Sequence, residues 1–322
     1  MTQTLAIVER LPGHTEVMGG FAALALELGL DVHLLFNHSD KFHMVEYLGT
    51  RLAIGADRIH EWSYINDHDF DVILLNTSCV WLDYGFQLRQ WDSNRRLIVV
   101  HHLPQDIKLN PHGASLYLTP AVDKEKWIFP LYGKPPAAEF VLRELPGRND
   151  GPDLPTLITI GALDLKDIGD VSAYLKAGGR VVHYDRHKCR FFLDQGLYTQ
   201  HVGLSGTEFM SSLAEQTQPI FLWFPIVPES LYMIYRFTGA LIMGVDLKCI
   251  MVMPEHFRQL YGFPKEAVIT YDSSVMEAEC VGKLRESPRE QLERRKRLGM
   301  WATERWDKNV EIFQGMVRPQ SE

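Results

Sequence analysis

The sequence is poor in cysteine, lacks an excess of positive charge and contains no long apolar run. Its four cysteines lie far apart, without the spacing of a zinc or redox site, so we expect a reducing, cytoplasmic setting. Acidic residues outnumber basic ones by 41 to 33, which gives no electrostatic reason to expect nucleic acid as a partner. No stretch reaches the roughly 18 apolar residues of a membrane span, although peripheral contact with a membrane stays open.

Internal repeats, low-complexity tracts and a dinucleotide-binding glycine pattern are also absent. The stretch LPGHTEVMGG is a predicted turn in which Gly13, Gly19 and Gly20 would allow a ligand to approach closely, but their spacing is not the GxGxxG of a Rossmann fingerprint. Asp40 also lies well past the second predicted strand, where the ribose-binding acid of such a fold is not expected. These two features argue against a nicotinamide-dependent oxidoreductase.

The first half of the sequence alternates short apolar runs with a helical period. TLAIVE (Thr4 to Glu9) predicts a buried strand, and the segment GGFAALALELG predicts a helix that ends at Gly29. Further strands are predicted at 31–37, 70–78, 96–104 and 115–122. Continuous apolar strands that alternate with helices are typical of a parallel sheet covered on both faces. We therefore predict a Rossmann-like domain.

The same alternation restarts after a segment rich in Pro, Gly and Asp at 145–155. Strands are predicted at 156–163, 180–185, 219–225, 247–254 and 267–272, with a helix at 230–243 among those between them. The fold class is therefore α/β, with two tandem Rossmann-like domains at 1–150 and 151–300. The mostly polar segment 287–317 has its apolar residues spaced as one or two amphipathic helices, which need a partner surface.

Two Rossmann-like domains, a short linker and a terminal amphipathic helix resemble the GT-B glycosyltransferases over nearly the whole chain. The resemblance implies that residues 1–150 form the acceptor domain, that 151–300 form the nucleotide-sugar donor domain, and that helix 301–317 returns to the first domain. It also implies a hexosyl- or pentosyltransferase that moves a sugar from a nucleoside-diphosphate donor to a hydroxyl, such as one on a glycan. The expected donor nucleotide is UDP, with GDP as the other possibility. Neither a further cofactor nor a metal ion is expected.

The helix that follows IFLWFP is the predicted donor-binding element. Free N–H groups in the first turn of a helix attract a diphosphate. The resemblance makes Glu229 a catalytic and donor-binding residue, although Phe237 occupies the position of the second glutamate of the retaining enzymes. The stereochemistry therefore stays open. Further predicted donor contacts in this helix are Ser230, Tyr232, Arg236 and Thr238. The alternative is that Glu229 or Ser230 only caps the helix.

Three further segments of the second domain carry predicted donor contacts. Gly161 and Lys166 follow the first strand, where the resemblance places a glycine and a cation that neutralises the leaving diphosphate. Tyr184 could stack on the base, and Arg186 could hold phosphate. The segment TQHVGLSGTEF resembles the loop whose backbone reads the base edge, which assigns Val202 and Gly203 to base recognition. A solvated surface loop is the alternative for Lys166 and Arg186.

The loop after the first strand carries the predicted catalytic base. His14 and Glu16 could each take a proton from an acceptor hydroxyl, and the unperturbed pKa of imidazole suits that task. The alternative is that Thr15 or Glu16 only begins a helix and that His14 is a solvated loop residue. His101 and His102 also end a strand, and one of the two is expected in the core because adjacent strand residues point to opposite faces. Asn76 is a further candidate for binding the acceptor.

Two other functions fit the same residues. A sugar-nucleotide epimerase shares the GT-B architecture and needs clustered acids and histidines around the sugar, which His14, Glu16, His101 and Asp106 could supply. A non-enzymatic binding module would explain the amphipathic tail but leave the polar strand ends without a role. The oligomeric state stays open.

Overall fold

The computed structural model describes residues 2–9, 15–36, 44–76, 96–101, 114–135, 154–161, 172–185, 198–202, 204, 208–209, 212–213, 220–227, 229, 239–272, 276 and 278–318. The chain divides into two compact units. The first unit comprises Met1–Lys134, Tyr235–Ile242 and Arg305–Glu322, and the second comprises Pro135–Ile234 and Met243–Glu304. The predicted domain boundary at residue 150 lies outside the described residues.

The first unit is built on a six-stranded sheet in the order β3-β2-β1-β4-β5-β6, and every paired strand is parallel. The strands are β1 (Thr4–Glu9), β2 (Asp31–Phe36), β3 (Ile59–Glu61), β4 (Val72–Leu75), β5 (Arg96–His101) and β6 (Ala114–Tyr117). Side chains on both faces of the central strands are buried, as expected for a sheet covered on both sides. The predicted Rossmann-like domain is confirmed, and β3 is a strand that the sequence analysis did not predict.

Helix α1 (Thr15–Glu27) begins before the predicted segment GGFAALALELG, at Thr15, as the alternative for this loop allowed, and α2 (Met44–Arg51) packs beside it. Gly19 and Gly20 belong to this helix, so their predicted role in a ligand-binding turn is corrected. A Cβ atom on Gly19 would overlap Leu48, and one on Gly20 would overlap Pro130. These glycines therefore allow the helix to pack closely against its neighbours.

The second unit repeats the design in a six-stranded sheet in the order β12-β11-β10-β7-β8-β9. The strands are β7 (Thr156–Ile160), β8 (Arg180–Asp185), β9 (Tyr198–Val202), β10 (Phe221–Trp223), β11 (Ile250–Pro254) and β12 (Ile269–Tyr271). All pairs are again parallel. If β7 to β12 are renumbered 1 to 6 and the sheet is read from β9, the strand order is 3-2-1-4-5-6. This is the strand order of the first sheet. Strand β9 was predicted as a loop, because YTQHV has no apolar run.

The helices described in the second unit are α3 (Ser172–Lys176), α4 (Gly239–Asp246, shared with the first unit), α5 (Glu255–Tyr261), α6 (Ala278–Lys283) and α7 (Pro288–Val317). A core cluster beneath the sheet includes Tyr174, Phe221, Trp223, Ile250 and Leu284. Helix α5 ends at Gly262, whose φ of 69° is left-handed, and the Gly262 N–H is bonded to carbonyls of the last turn.

Helix α7 is one continuous helix of 30 residues, about 45 Å long at 1.5 Å per residue. A capping box begins it: Ser287 Oγ lies 2.7 Å from Glu290 Oε2, and that carboxylate also accepts the Ser287 N–H at 2.8 Å. Pro288 follows as the first helical residue, where its missing N–H costs nothing. The sequence predicted one or two amphipathic helices over 287–317, and the structure has one.

The last part of α7, from Arg305, belongs to the first unit. The guanidinium of Arg305 lies 3.5 Å above the Trp127 ring and donates to the Trp127 carbonyl. Asn309 donates from Nδ2 to the Phe129 carbonyl at 2.5 Å and accepts the Phe129 N–H at 3.3 Å. The Phe313 ring packs near the ring of Phe21, with 6.0 Å between centroids. The predicted return of the C-terminal helix to the N-terminal domain is confirmed.

Candidate functional site

Each sheet has one topological switch point, between β1 and β4 in the first unit and between β7 and β10 in the second. In open parallel sheets the chain leaves the two central strands in opposite directions, which opens a crevice at their carboxyl ends where ligands bind. The polar residues that end these strands are therefore the first candidates for a functional site.

A buried polar pair occupies the switch point of the first sheet. Glu9 is the last residue of β1, and Asn76 directly follows β4. Asn76 donates from Nδ2 to Glu9 Oε2 at 2.6 Å, and its backbone N–H donates to the Val8 carbonyl at 2.9 Å. Glu9 is 2% exposed and Asn76 is 0% exposed. The pair therefore ties together the two strand ends from which the neighbouring loops start.

His101 ends β5 on the same edge of the sheet and is buried. Its Nε2 lies 3.0 Å from Ser115 Oγ, and its ring is stacked on Tyr117 at 5.4 Å between centroids. His101 is thus a core histidine. This agrees with the expectation that one of His101 and His102 lies in the core. His102 lies outside the described residues.

The two predicted bases follow β1. Glu16 is the second residue of α1, so its backbone lies at the helix start that follows β1 along the chain, while the position of its side chain is not described. His14 lies outside the described residues. The chemical roles of both stay predictions.

Gly161 directly follows β7, at the switch point of the second sheet. Its φ of 107° is a conformation that only glycine adopts without strain, and its N–H donates to the Tyr184 carbonyl at 2.9 Å. Among the described residues, and apart from the two chain neighbours of Gly161, no atom lies within 4 Å of the place that a Cβ would take. The strand end thus offers open space beside bare backbone, which is what a phosphate group needs for a close approach. Lys166 lies outside the described residues.

Tyr184 is buried, whereas its predicted role requires a ring that is free to stack on a nucleotide base. The residue is 3% exposed, its ring is stacked on His201 at 4.8 Å, and its hydroxyl lies 2.9 Å from Ser212 Oγ. Phe209 covers it edge-on at 5.3 Å. This packing does not favour stacking of Tyr184 on a nucleotide base.

Of the other predicted donor residues, the structure describes Val202 and Glu229. Val202 is the last residue of β9, on the carboxyl edge, and the position of its side chain is not described. Glu229 lies in a turn after β10 and is exposed. Outside the described residues lie Arg186, Gly203, Ser230, Tyr232, Arg236 and Thr238.

His256 is a residue at this edge that the sequence analysis missed. It is the second residue of α5, immediately after β11, and it is partly exposed. Burial lowers the pKa of His256, while a hydrogen bond to the Ile226 backbone and the carboxylates of Glu229 and Glu255 oppose that shift.

Glu255, beside it, is fully engaged in an ion pair. Arg258 donates from Nε to both carboxylate oxygens at 2.9 and 3.0 Å, and its Nη2 lies 2.7 Å from Oε1. Gln259 donates to the same carboxylate at 3.0 Å. The hydrogen bonds from Arg258 lower the pKa of Glu255. This carboxylate is therefore held in place by its own helix.

Comparison with known proteins gives structural matches only. Scans against protein-family models and against curated proteins find no match. AviGT4, a glycosyltransferase involved in avilamycin A biosynthesis, matches with a TM-score of 0.60 and 15% identity over 98% of both chains. An α-glucosyltransferase in complex with UDP and DNA matches at 0.60 and 11% over 97% of this chain and 95% of that one. HepE of Anabaena with UDP and glucose matches at 0.54 and 10% over 97% and 99%.

The chain has a GT-B fold. Along the chain, Gly161 follows β7, Glu229 follows β10 and Glu16 follows β1. Glu9 and His256 were missed, although each is the first or second polar residue after an apolar strand. Examining every strand end for polar residues would have found both.

Within the part of the chain that the structure describes, no group of three or more His, Cys, Asp or Glu side chains is arranged to hold a metal ion. Metal independence remains a prediction. Among the described helices, none combines the length and the apolar character needed to cross a membrane.

Proposed function

We propose that this protein is a glycosyltransferase that transfers a sugar from a nucleoside-diphosphate sugar to an acceptor hydroxyl. The observation that carries the proposal is the GT-B fold over nearly the whole chain, with polar or bare backbone groups at both switch points. The α-glucosyltransferase and HepE structures contain UDP, which supports UDP over GDP as the donor nucleotide.

The second unit is the proposed donor side. Gly161 leaves open space for the diphosphate, and Lys166 with the segment after Glu229 would neutralise the leaving group. Because Tyr184 is buried, base recognition falls to the backbone around Val202 and Gly203. Side chains and N–H groups would then take the role that a metal ion has in other transferases.

The first unit is the proposed acceptor side. The acceptor oxygen forms a bond to the anomeric carbon, the bond from that carbon to the diphosphate oxygen breaks, and the acceptor proton passes to His14 or Glu16. The segment that carries His14 begins directly after Glu9. The hydrogen bond between Glu9 and Asn76 therefore holds the residue from which this segment starts. This pair supports a defined position for the base.

Nucleotide binding is the first test. Thermal unfolding of the purified protein is followed with UDP, GDP, NAD and buffer alone. We expect UDP, or failing that GDP, to raise the midpoint, because a ligand that binds only the folded state stabilises it. Stabilisation by NAD alone, or by none of the three, would remove the proposal.

Turnover is the second test. The stabilising nucleotide is offered as a series of its sugars, with and without glycan acceptors and with a chelator in a parallel arm. A transferase releases nucleotide slowly by hydrolysis and faster with an acceptor, and we expect the chelator to change neither rate. Interconversion of the nucleotide sugar without release would instead identify the epimerase, and binding without any turnover would identify the binding module.

A further inference from the structure

Strand β3 is the edge strand of the first sheet, and few backbone groups hold it in place. It has three residues, Ile59–Glu61, and it pairs in parallel with β2, where Leu35 lies opposite His60. Ile59 and His60 are half-buried, and Glu61 is exposed. A short edge strand with little burial separates from its sheet more easily than a central strand. Side-chain contacts between β2 and β3 therefore matter for the attachment of β3.

A chain of side-chain hydrogen bonds links the two strands. Arg58 directly precedes β3, and its Nη1 lies 2.8 Å from Nε2 of His33 in β2. On the other side of the same ring, Nδ1 of His33 lies 3.2 Å from Nε2 of His60 in β3. The chain therefore runs from Arg58 through His33 to His60, and it joins β2 to the β3 segment at two points.

The donors and acceptors of this chain follow one order. A guanidinium donates and has no acceptor, so Nε2 of His33 accepts from Arg58 and the proton of the neutral ring is on Nδ1. That Nδ1–H donates to Nε2 of His60, whose own proton is then on Nδ1. With both rings neutral, each has the Nδ1–H tautomer, and every pair of facing nitrogens consists of one donor and one acceptor.

A further proton on either ring would break the chain. On His33 the proton would go to Nε2, where the new N–H would face an N–H of Arg58. On His60 it would also go to Nε2, where the new N–H would face the N–H of His33. Two donors that face each other form no hydrogen bond. On His33 the new charge would also lie beside the guanidinium, which repels it.

The charged and titratable groups around the two rings come from every described segment that packs against them. The carboxylate that begins β2 forms an ion pair with the guanidinium, and a second carboxylate lies before β3. A tyrosine ring is stacked on His60 at 3.7 Å, and a third histidine ring is stacked on the tyrosine at 3.5 Å. These groups are Asp31, Asp57, Arg58, Tyr64 and His68.

The balance of these groups sets the pH range in which the chain is intact. Burial lowers the pKa of His33 and of His60, and the charge of Arg58 lowers both further. Asp57 opposes the shift at both rings, and Asp31 opposes it at His33. Both rings are therefore neutral near neutral pH, and they take up protons below the ordinary histidine pKa of 6.5.

We propose that the hydrogen-bond chain from Arg58 through His33 to His60 is an acid-sensitive switch that holds β3 on β2 near neutral pH and releases it on acidification. The release is local, because the central strands β1 and β4 have no part in the chain. It uncovers the backbone groups of β2 that pair with β3. The inference is independent of the proposed function, because it concerns the β2–β3 side of the first sheet and not the switch point between β1 and β4.

The tautomers give the first test. Nuclear magnetic resonance of the full chain, with nitrogen-labelled histidine, shows which ring nitrogen carries the proton near neutral pH. The signals that disappear in His33→Gln and in His60→Gln assign the two rings. We expect the Nδ1–H tautomer in both. An Nε2–H tautomer in either ring would mean that the chain does not exist in this order, and it would overturn the inference.

Amide hydrogen exchange gives the second test, near neutral pH and at about pH 5, with correction for the intrinsic effect of pH. We expect the amides of β3 to lose protection about tenfold at the lower pH, the size of one lost hydrogen bond, while those of β1 and β4 keep theirs. Unchanged protection of β3 would overturn the inference. Equal loss across the whole sheet would also overturn it, because the opening would then not be local.

Glutamine variants show whether the chain itself responds to pH. In His60→Gln the amide oxygen can accept from His33 and takes up no proton in this range, so β3 should lose less protection in acid than in the unaltered protein. The double variant His33→Gln with His60→Gln should show no pH dependence in β3. His68→Gln is the matched control, because it removes a stacked ring outside the chain, and it should behave like the unaltered protein.

The variants also have outcomes that contradict the inference. Full acid sensitivity in the double variant, or loss of that sensitivity in His68→Gln, would assign the response to other groups. Circular dichroism establishes that each variant folds. If glutamine at position 60 already leaves β3 unprotected near neutral pH, the tautomers and the exchange of the unaltered protein decide.

Discussion

The carboxyl edges of the two sheets differ in how their polar groups are satisfied, although both sheets have the same strand order. At the first edge, Glu9 bonds Asn76 and His101 bonds Ser115, and the two pairs are largely buried. At the second edge, Gly161 has open space around it as far as the described residues show, and Glu229 is exposed.

Two sheets with the same strand order can therefore differ in what the residues at their carboxyl edges do. The first edge is closed by its own side chains, so it provides a fixed base from which loops start. The second edge keeps groups that a ligand can satisfy. In the proposed transferase, changes at the first edge should therefore affect stability and rate, and changes at the second should affect affinity for the donor.

His14→Ala should produce the largest effect. Loss of a general base lowers turnover about 10²- to 10⁴-fold, while affinity for the nucleotide stays unchanged. Steady-state kinetics with matched calorimetric titrations separate the two quantities. An equal loss of turnover and nucleotide affinity would place His14 on the donor side and break the contrast between the units.

Asn76→Asp should follow, with a loss of about 3 kcal/mol or more in the free energy of unfolding. The change puts a second carboxylate beside buried Glu9, and two like charges cannot both ionise there. Urea denaturation measures this loss of stability. Asn66→Asp, at an exposed position, is the control. A tolerated Asn76→Asp would mean that the first edge is as open as the second.

Gly161→Ala tests the second edge. The φ of 107° should cost a residue with a Cβ about 1–3 kcal/mol of stability, and the methyl group would enter the space proposed for the diphosphate. Gly315→Ala, in an exposed turn of α7, should instead stabilise by up to about 1 kcal/mol. Unchanged nucleotide affinity in Gly161→Ala would remove this strand end from the donor site.

Lys166→Ala should weaken nucleotide binding about tenfold, as expected for one charge-assisted contact to a phosphate. Stability should not change. Titration with UDP at two salt concentrations measures the effect, and the unaltered protein should lose more affinity with added salt than the variant. Identical affinity and rate in both proteins would take Lys166 out of the site.

A stack of rings at the β2–β3 side of the first sheet gives the smallest predicted effect, a dependence on pH. His33 Nδ1 lies 3.2 Å from His60 Nε2, and the His60 ring lies 3.7 Å from that of Tyr64. Burial lowers the pKa of His33 and of His60. The charged groups around them are Asp31, Asp57, Arg58 and His68.

Because the folded pKa values lie below the unfolded value of 6.5, the unfolded chain takes up protons first on acidification. The stability contribution is complete above that value and is lost as the pH falls below it. His60→Phe keeps a ring against Tyr64 but removes one titrating group, so its stability should fall less between neutral pH and about pH 5. The variant keeps part of the pH dependence of stability, because burial also lowers the pKa of His256. Parallel curves for both proteins would contradict the prediction.

The architecture was predictable because the buried strands are continuous apolar runs. β1 was predicted with its observed ends, Thr4 and Glu9. The edge strands β3 and β9 were missed, since a sheet edge needs no apolar run on both faces and neighbouring strands supply their hydrogen bonds.

The candidate site was less predictable, because its contacts join residues that are distant along the chain. The Glu9–Asn76 bond spans 67 positions, and the burial of Tyr184 depends on rings from two other segments. Gly19 and Gly20 resembled a ligand-binding turn because glycine serves close packing and close ligand approach equally well. Only the three-dimensional neighbours separate the two uses.

The bond from Gln3 Nε2 to the Val317 carbonyl joins residues 314 positions apart, and it has a consequence for biosynthesis. Residues 305–317 supply Arg305, Asn309 and Phe313 to the core of the first unit. During translation, the N-terminal sheet therefore emerges from the ribosome long before the helix that completes it. Its final packing waits until residues 305–317, which follow the second unit along the chain, have been synthesised.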